Sequence, residues 1–282
     1  MSDATLFSVA MSVYGRDRAD WFDTALDSII NQSVQPSEIV LVEDGPVPQD
    51  IHNVVERYHT RCSQIGIDLV VVTLNENQGL GNALKTAVEH CNHEMIARMD
   101  SDDISLPNRF EKQLALFSQQ PDLSIVGGNI SEFTGDTEHI VGQRCCPQTD
   151  AEIKQLMRRR CSMNHVTVMF RKSEVLRAGN YQDWFYNEDY YLWIRMMQAG
   201  CHFANLNETL VNVRIASDTY ARRGGNRYYR SERDIQRYMY HAGIIGYGTM
   251  ITNITIRFIV QRLMPNWIRA FVFQKLFRSK KK

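Results

Sequence analysis

Short apolar runs alternate with stretches of helical spacing through the first part of the chain, and each run ends in a polar group. Phe7 to Val13 runs into Tyr14-Gly15-Arg16. Ile39 to Val42 ends at Glu43-Asp44-Gly45-Pro46, and Leu69 to Leu74 at Asn75-Glu76-Asn77-Gln78-Gly79. Met95 to Met99 ends at Asp100-Ser101-Asp102-Asp103. Between the runs, Trp21, Phe22, Ala25, Leu26, Ile29 and Ile30 repeat at helical spacing, residues 50–64 and Leu80 to Cys91 read as helices, and another starts near Pro107. This β-α-β-α-β-α-β pattern with short connections predicts an α/β fold, a mostly parallel, doubly wound sheet covered by helices. No G-x-G-x-x-G follows the first strand, so the phosphate-binding turn of a simple dinucleotide domain is missing.

The second half is less regular. Ser124 to Ile130 and His165 to Phe170 are predicted strands, with a helix around 151–160 between them. From Tyr190 on, Leu192, Trp193, Met196 and Met197 have helical spacing, which puts Asn187, Glu188 and Asp189 at a helix start, where acidic side chains suit the helix dipole. There is no internal repeat and no low-complexity linker.

The chain has 282 residues, enough for one large domain or a domain plus an appendage. Its net charge of zero conceals an asymmetry: residues 1–234 carry 23 basic and 32 acidic residues, whereas the nine charged residues after Asp234 are all basic. Such a tail suits an anionic partner. Residues 243–277 are apolar but interrupted by Asn253 and Arg257, too broken for the ~20 apolar residues of a membrane span. After Pro265, the apolar residues Trp267, Ile268, Phe271, Val272, Leu276 and Phe277 alternate with Arg269, Gln274, Lys275 and Arg278. That pattern predicts an amphipathic helix in a membrane interface, with Lys280 to Lys282 near anionic headgroups. The competing reading packs this segment on the main domain as a homodimer contact. Its large apolar residues argue against a nucleic-acid-tracking arm. Six cysteines include no C-x-x-C pair, and the adjacent Cys145-Cys146 is a poor zinc arrangement. The start, Met1 to Thr5, lacks a basic region and an apolar core, so no signal peptide and a reduced, cytoplasmic setting are expected.

The chemistry concentrates at Asp100-Ser101-Asp102-Asp103. Three carboxylates within four positions repel one another, and a divalent cation removes that cost. Hard oxygen ligands suit Mg²⁺ or Mn²⁺, which usually share their shell with substrate phosphates. The carboxyl end of a parallel strand is also where open α/β sheets bind ligands. Taken singly, the polar groups have plain readings: Asp44-Gly45 as a turn, Asn187 to Asp189 as a helix cap, His165 as a satisfied core histidine.

Taken in order, four signals resemble the inverting, GT-A type glycosyltransferases of family 2. They are Met11-Ser12-Val13-Tyr14, Val42-Glu43-Asp44-Gly45, the Asp100–Asp103 cluster, and Asn187-Glu188-Asp189 before an aromatic helix. The resemblance covers roughly residues 6 to 225. Ile96-Ala97-Arg98-Met99-Asp100 and Tyr220-Ala221-Arg222-Arg223-Gly224-Gly225 narrow it to bacterial enzymes of O-antigen, capsule and exopolysaccharide assembly, the amylovoran type among them. The QxxRW signature of processive synthases is absent.

The basic amphipathic pattern assigns 236–282 to membrane association; the resemblance implies a catalytic domain over 1–235, with a nucleotide-sugar half to about 125 and an acceptor half from about 126. It implies that Tyr14 lies near the nucleotide base, Asp44 bonds the uracil ring and Asp100 the ribose. Asp102 would hold the Mn²⁺ or Mg²⁺ ion with Asp103 assisting. Asp189 would be the general base, with Glu188 shaping the acceptor site. Asn77 and Lys85 would border the donor, Arg222 and Arg223 would close over its diphosphate, and Arg98, His165 and Arg214 are further cleft candidates. The implied reaction moves a hexose, galactose or glucose, from a UDP-sugar to a sugar on a polyprenyl-diphosphate carrier. It would take place at the inner face of the cell membrane. A nucleotidyltransferase would also use an Asp pair and a metal, but Tyr14-Gly15-Arg16 is a poor version of its basic glycine-rich loop. A non-catalytic, sugar-binding scaffold at the membrane is the third reading.

Overall fold

In the computed structural model, residues 6–215 and 225–264 are described. The four runs form strands β1 (Phe7–Tyr14), β2 (Glu38–Asp44), β3 (Asp68–Thr73) and β4 (Met95–Met99). They are joined by helices α1 (Ala19–Ile30), α2 (Gln49–Ile65) and α3 (Leu80–His90). The strands are parallel in the order β3-β2-β1-β4. Side chains alternate across the sheet. Phe7, Val9, Met11, Ile39, Leu41, Ala97 and Met99 face α1 and α2, while Ala10, Val40, Val42 and Ile96 face α3. Each fully buried large side chain contributes about 1.5–3 kcal/mol, and strands buried on both faces read as continuous apolar runs.

The sheet continues through β8 (Met169–Arg171), β6 (Ile125–Phe133), β9 (Phe203–Arg214) and the two-residue β5 (Ile104–Ser105), with β7 (Ile140–Arg144) paired on β6. The pairings β4·β8, β6·β8, β6·β7 and β5·β9 are antiparallel, and β6·β9 is parallel. The doubly wound, parallel arrangement therefore holds for the first four strands, and the sheet is mixed beyond them. Helices α4 (Arg109–Gln119), α5 (Asp150–Met157), α6 (Lys172–Arg177) and α7 (Glu188–Gln198) cover it. Helices α8 (Asn226–His241) and α9 (Tyr247–Phe258), followed by a wide turn at Ile259–Leu263, pack beside α7.

One predicted strand is corrected. His165–Thr167 is a tight helical turn, and the strand begins only at Met169. Side-chain bonds replace the ladder there. Asn164 Nδ2 donates to the Gly128 carbonyl at 2.8 Å. Thr167 Oγ1 donates to the Asn164 carbonyl at 2.8 Å and accepts from the Gly128 N–H at 3.0 Å. The longest strand, β9, was not predicted. Its first half carries Asn205, Asn207 and Glu208, and two register shifts against β6 break the alternation.

Two buried polar residues one turn apart on α4 close the gap that this turn leaves. Arg109 Nη2 donates to the carbonyls of Arg98 (2.7 Å) and Val168 (3.2 Å). Gln113 Nε2 donates to those of Val126 and Thr167, both at 2.8 Å. Gln113→Leu strands two buried acceptors and is expected to cost about 2–3 kcal/mol. Denaturant unfolding measures it, and an unchanged midpoint would refute this role.

Candidate active site

Strand register assembles the site at one sheet edge. Tyr14 lies opposite Asp44, and Met11 opposite Met99, so the Asp100–Asp103 loop emerges beside the end of β1. Asp44 is buried, and its carboxylate accepts three bonds from the loop after β3: Asn77 Nδ2 (3.0 Å), Gln78 N–H (2.7 Å) and Gly79 N–H (3.0 Å). Gly45 makes this possible. Its φ is +83°, and a Cβ there would lie 2.5 Å from the Asn77 nitrogen. Asn77 thus reaches the site through Asp44. Tyr14 is half-exposed at the rim, and Lys85 lies on the exposed side of α3.

Arg98 points from β4 into the α3–α7 side of the sheet, 2% exposed, and its guanidinium forks onto both oxygens of Asp100, one bond at 2.6 Å. Such bidentate, charge-assisted pairs are strong and directional. Asp17, which the sequence reading passed over, accepts from Ser101 Oγ at 2.7 Å and from the Tyr14 N–H at 3.2 Å. It ties the turn after β1 to the carboxylate loop. Arg214, the last residue of β9, closes the loop from the other side. Its N–H donates to Asp103 Oδ1 at 2.8 Å, and its Nε donates to the Asp102 carbonyl at 3.2 Å. Its guanidinium lies between the rings of Trp21 and Phe133, 4.6 Å from each.

Oxygens of Asp100, Asp102 and Asp103 lie within 4.8 Å of one another. Burial, then repulsion from Asp100 and Asp17, raises the Asp102 carboxyl to about 7. Asp103 is raised well above its usual range by burial, then by Asp102 and Asp100. Arg98 is committed to Asp100, so among the described residues Asp102 and Asp103 are crowded acids with no cation of their own fork-bonded to them. An all-oxygen set in this state fits a hard divalent ion.

The second carboxylate pair begins α7. Asn187 occupies the position before the helix, yet its side chain does not cap it; Nδ2 donates to Ser231 Oγ on α8 at 3.0 Å. The cap reading of Asn187 is thereby corrected. Glu188 is raised to about 8 by burial and then by Asp189. Asp189 is raised by burial, which the bond from Cys161 Sγ (3.5 Å) and the charges of Arg144 and Arg98 oppose. Arg98 lies close enough to act on both carboxylate groups, so the two groups are neighbours at this end of the sheet. A Cβ on Gly81 would lie 3.3 Å from Glu188 Cβ, which puts the start of α3 against the same corner.

His165 Nε2 pairs with Tyr181 Oη at 2.9 Å, and burial, with Arg98 nearby, holds the ring well below its usual pKa. It is a neutral wall of the cleft. Arg222 and Arg223 lie outside the described residues, as do 216–224 as a whole, Met1–Thr5 and the predicted amphipathic helix within 265–282. The sequence reading also passed over Arg144 and Cys161 beside Asp189; the only signal was the run Arg158-Arg159-Arg160 just before Cys161.

The family model described as Glycosyl transferase family 2 matches residues 8–185. The chain is 36% identical to the amylovoran biosynthesis glycosyltransferase AmsE of Erwinia amylovora, over 96% of this chain and 98% of that one. It is 34% identical to the UDP-Gal:alpha-D-GlcNAc-diphosphoundecaprenol beta-1,3-galactosyltransferase of Escherichia coli, over 99% of both. Among solved structures, it is similar to S. aureus TarS 1–349 in complex with UDP-GlcNAc, with a TM-score of 0.65 at 16% identity over 95% of this chain and 81% of that one. The mannosyltransferase PcManGT from Pyrobaculum calidifontis, in complex with GDP-Man and Mn²⁺, has a TM-score of 0.61 at 14% identity over 94% and 72%. These two likenesses establish the fold, a GT-A type α/β sheet flanked by helices.

A raised carboxyl pKa makes a definite statement about stability. Glu188 binds its proton more tightly folded than unfolded, so its contribution is full below pH ~4.3, the ordinary glutamate value, and falls as pH rises toward 8. Glu188→Gln is therefore expected to melt higher than wild type at pH 8 and level with it near pH 4, by roughly 2–4 °C for each kcal/mol recovered. Equal melting temperatures at pH 8 would show that Glu188 is ionised without cost.

Proposed function

The chain belongs to glycosyl transferase family 2, and on that premise we propose that it transfers one hexose, with inversion, from a UDP-sugar to a sugar on a polyprenyl diphosphate. Galactose or glucose is the proposed hexose. The observation that carries the reading is that two separate carboxylate groups, Asp100–Asp103 and Glu188–Asp189, both come within reach of the buried Arg98. Inverting transfer is one displacement at the anomeric carbon, so it needs a charged seat for the leaving diphosphate and a base on the opposite side. Two relatives whose names place them in amylovoran assembly and in transfer to a diphosphoundecaprenol-linked sugar support the acceptor class. Family membership sets aside the nucleotidyltransferase alternative.

The residues take the following roles. Asp102 and Asp103 hold a divalent cation, Mn²⁺ or Mg²⁺, which when bound supplies positive charge to the leaving diphosphate. Asp100, oriented by Arg98, accepts from the ribose. Asp44 and Tyr14 face the base, and Asn77 with Lys85 border the donor. Asp189 takes the proton of the acceptor hydroxyl. Its burial keeps it more basic than a free aspartate, as a base working near neutral pH requires. Glu188 shapes the acceptor side. Arg222 and Arg223 are proposed to close over the diphosphate.

We assign residues 1–235 to the catalytic domain and the segment from 236 to membrane attachment on the cytoplasmic side. No helix among the described residues is long and apolar enough to cross a membrane. The outer side of α9 and the turn after it nevertheless exposes Tyr247 (63%), Ile251, Ile256, Phe258, Ile259 and Leu263 (63%). The charged residue among these exposed positions is Arg262. An apolar, acid-free face leading into a basic tail suits an anionic bilayer.

Calorimetry with UDP and Mn²⁺ tests the donor site. Wild type is expected to bind only with metal, and Asp102→Ala at least about tenfold more weakly. Asp189→Asn should bind UDP normally yet transfer sugar about 10²–10⁴-fold more slowly. Normal turnover by Asp189→Asn would remove it as the base, and wild type that binds no nucleotide would leave the scaffold reading. Flotation with vesicles rich in anionic lipid tests the surface. The full chain should float, and Ile251→Glu with Ile259→Glu should stay in solution; co-flotation of that variant would remove α9 from the contact.

A further inference from the structure

The acceptor side of the cleft holds cations that the donor chemistry does not use. Arg144 ends β7, and its Nη2 donates to the Cys161 carbonyl at 3.4 Å. On its other side the same residue, through Sγ, meets Asp189 Oδ2 at 3.5 Å. Arg144 and the proposed base are thus separated by a single residue. Arg160 directly precedes that residue.

The backbone at this point is pinned. The N–H groups of Arg159 and Arg160 both donate to the Leu156 carbonyl, at 2.8 and 3.0 Å. From α9, Asn253 Nδ2 donates to the Arg158 carbonyl (3.0 Å) and Arg257 Nη2 to the Arg159 carbonyl (2.6 Å). Arg257 is itself paired with Glu232 in the interior. The carbonyls of the turn are therefore tied inward, and its three arginine residues are exposed. Arg160 is exposed as a residue, but its guanidinium is partly desolvated and close enough to Arg144 that both effects disfavour its charged form. Two guanidinium groups held together in this way gain most from a ligand carrying more than one negative charge.

We propose that Arg144 and Arg160 seat the diphosphate of the acceptor, a lipid-anchored sugar diphosphate, one sugar ring away from Asp189. The inference rests on the acceptor class proposed above. Its chemistry is simple. In a sugar 1-diphosphate, the attacking hydroxyl and the phosphates leave the same ring on different sides. A base and a diphosphate seat must then be neighbours without touching, which is the relation Cys161 imposes on Asp189 and Arg144. The donor diphosphate belongs to the Asp102–Asp103 side and does not compete for these cations. The same turn is fastened to α9, whose outer side is apolar, so the seat lies beside the element proposed to meet the headgroup layer.

Decyl diphosphate is the probe, titrated into the full chain already saturated with UDP and Mn²⁺. Wild type is expected to bind it, and Arg160→Ala and Arg160→Glu to bind about tenfold and about a hundredfold more weakly, as the loss of one and then the reversal of a charge-assisted contact predicts. UDP affinity should stay within about twofold, since the donor side is untouched. Inorganic pyrophosphate, run in parallel, separates the sources. Comparable binding of the tail-less anion would overturn the assignment to a lipid-anchored ligand. Equal binding of decyl diphosphate by wild type and both variants would overturn the seat. So would failure of wild type to bind it while UDP still binds. Failure of wild type to bind UDP would instead defeat the transferase reading itself.

Discussion

A single buried guanidinium organises the cleft. Arg98 sits in the last turn of β4 before the carboxylate loop, forked onto Asp100 and close enough to influence Asp102, Asp103, Glu188 and Asp189. Burial drives Asp102, Asp103, Glu188 and Asp189 toward their neutral forms. Arg98 is forked onto Asp100, and its charge opposes that drive at all four. A divalent cation bound among Asp102 and Asp103 would favour their ionised forms against that burial.

Arg98 can do this because the structure below it is rigid. Arg109 and Gln113 occupy carbonyls that the sheet leaves open where β4 gives way to β8 and β6. Arg214, clasped between Trp21 and Phe133, holds the carboxylate loop from above. The acceptor side is built differently. There the fixed point is the start of α7, bonded to α8 through Asn187 and Ser231 and, through Cys161, to the turn that follows α5. One half of the site hangs from a parallel sheet, the other from packed helices.

That difference decides what could be read in advance. The first four strands and their helices were legible because β1, β2 and β4 are buried on both faces and each of the four ends in a polar group at the same edge; Tyr14, Asp44 and Asp100 to Asp103 stand out as candidates from that alone. The acceptor half was not. In β9 the register shifts disguise the period, and at His165–Thr167 side chains supply the bonds that a strand would have made. Asn187 looked like a cap and instead joins two helices. Arg144 and Cys161 carry no local pattern, since what matters about them is contact with Asp189, a residue remote in the sequence. Asp44 was legible as a site residue, but its three bonds to the Asn77–Gly79 loop were not, because they depend on Gly45 allowing the loop so close.

The clasp between Arg214 and Asp103 joins positions 111 residues apart. Strands β1 to β4 can pair as soon as residue 99 has been made, since all their partners precede it. The carboxylate loop cannot take its final shape until residue 214 has left the ribosome. During synthesis, then, the parallel β1–β4 half could stand folded while its acidic loop remained unfinished. Long-range closures of this kind come late because their entropy is paid before their contacts form. The chemistry of the cleft is consequently among the last things the growing chain acquires.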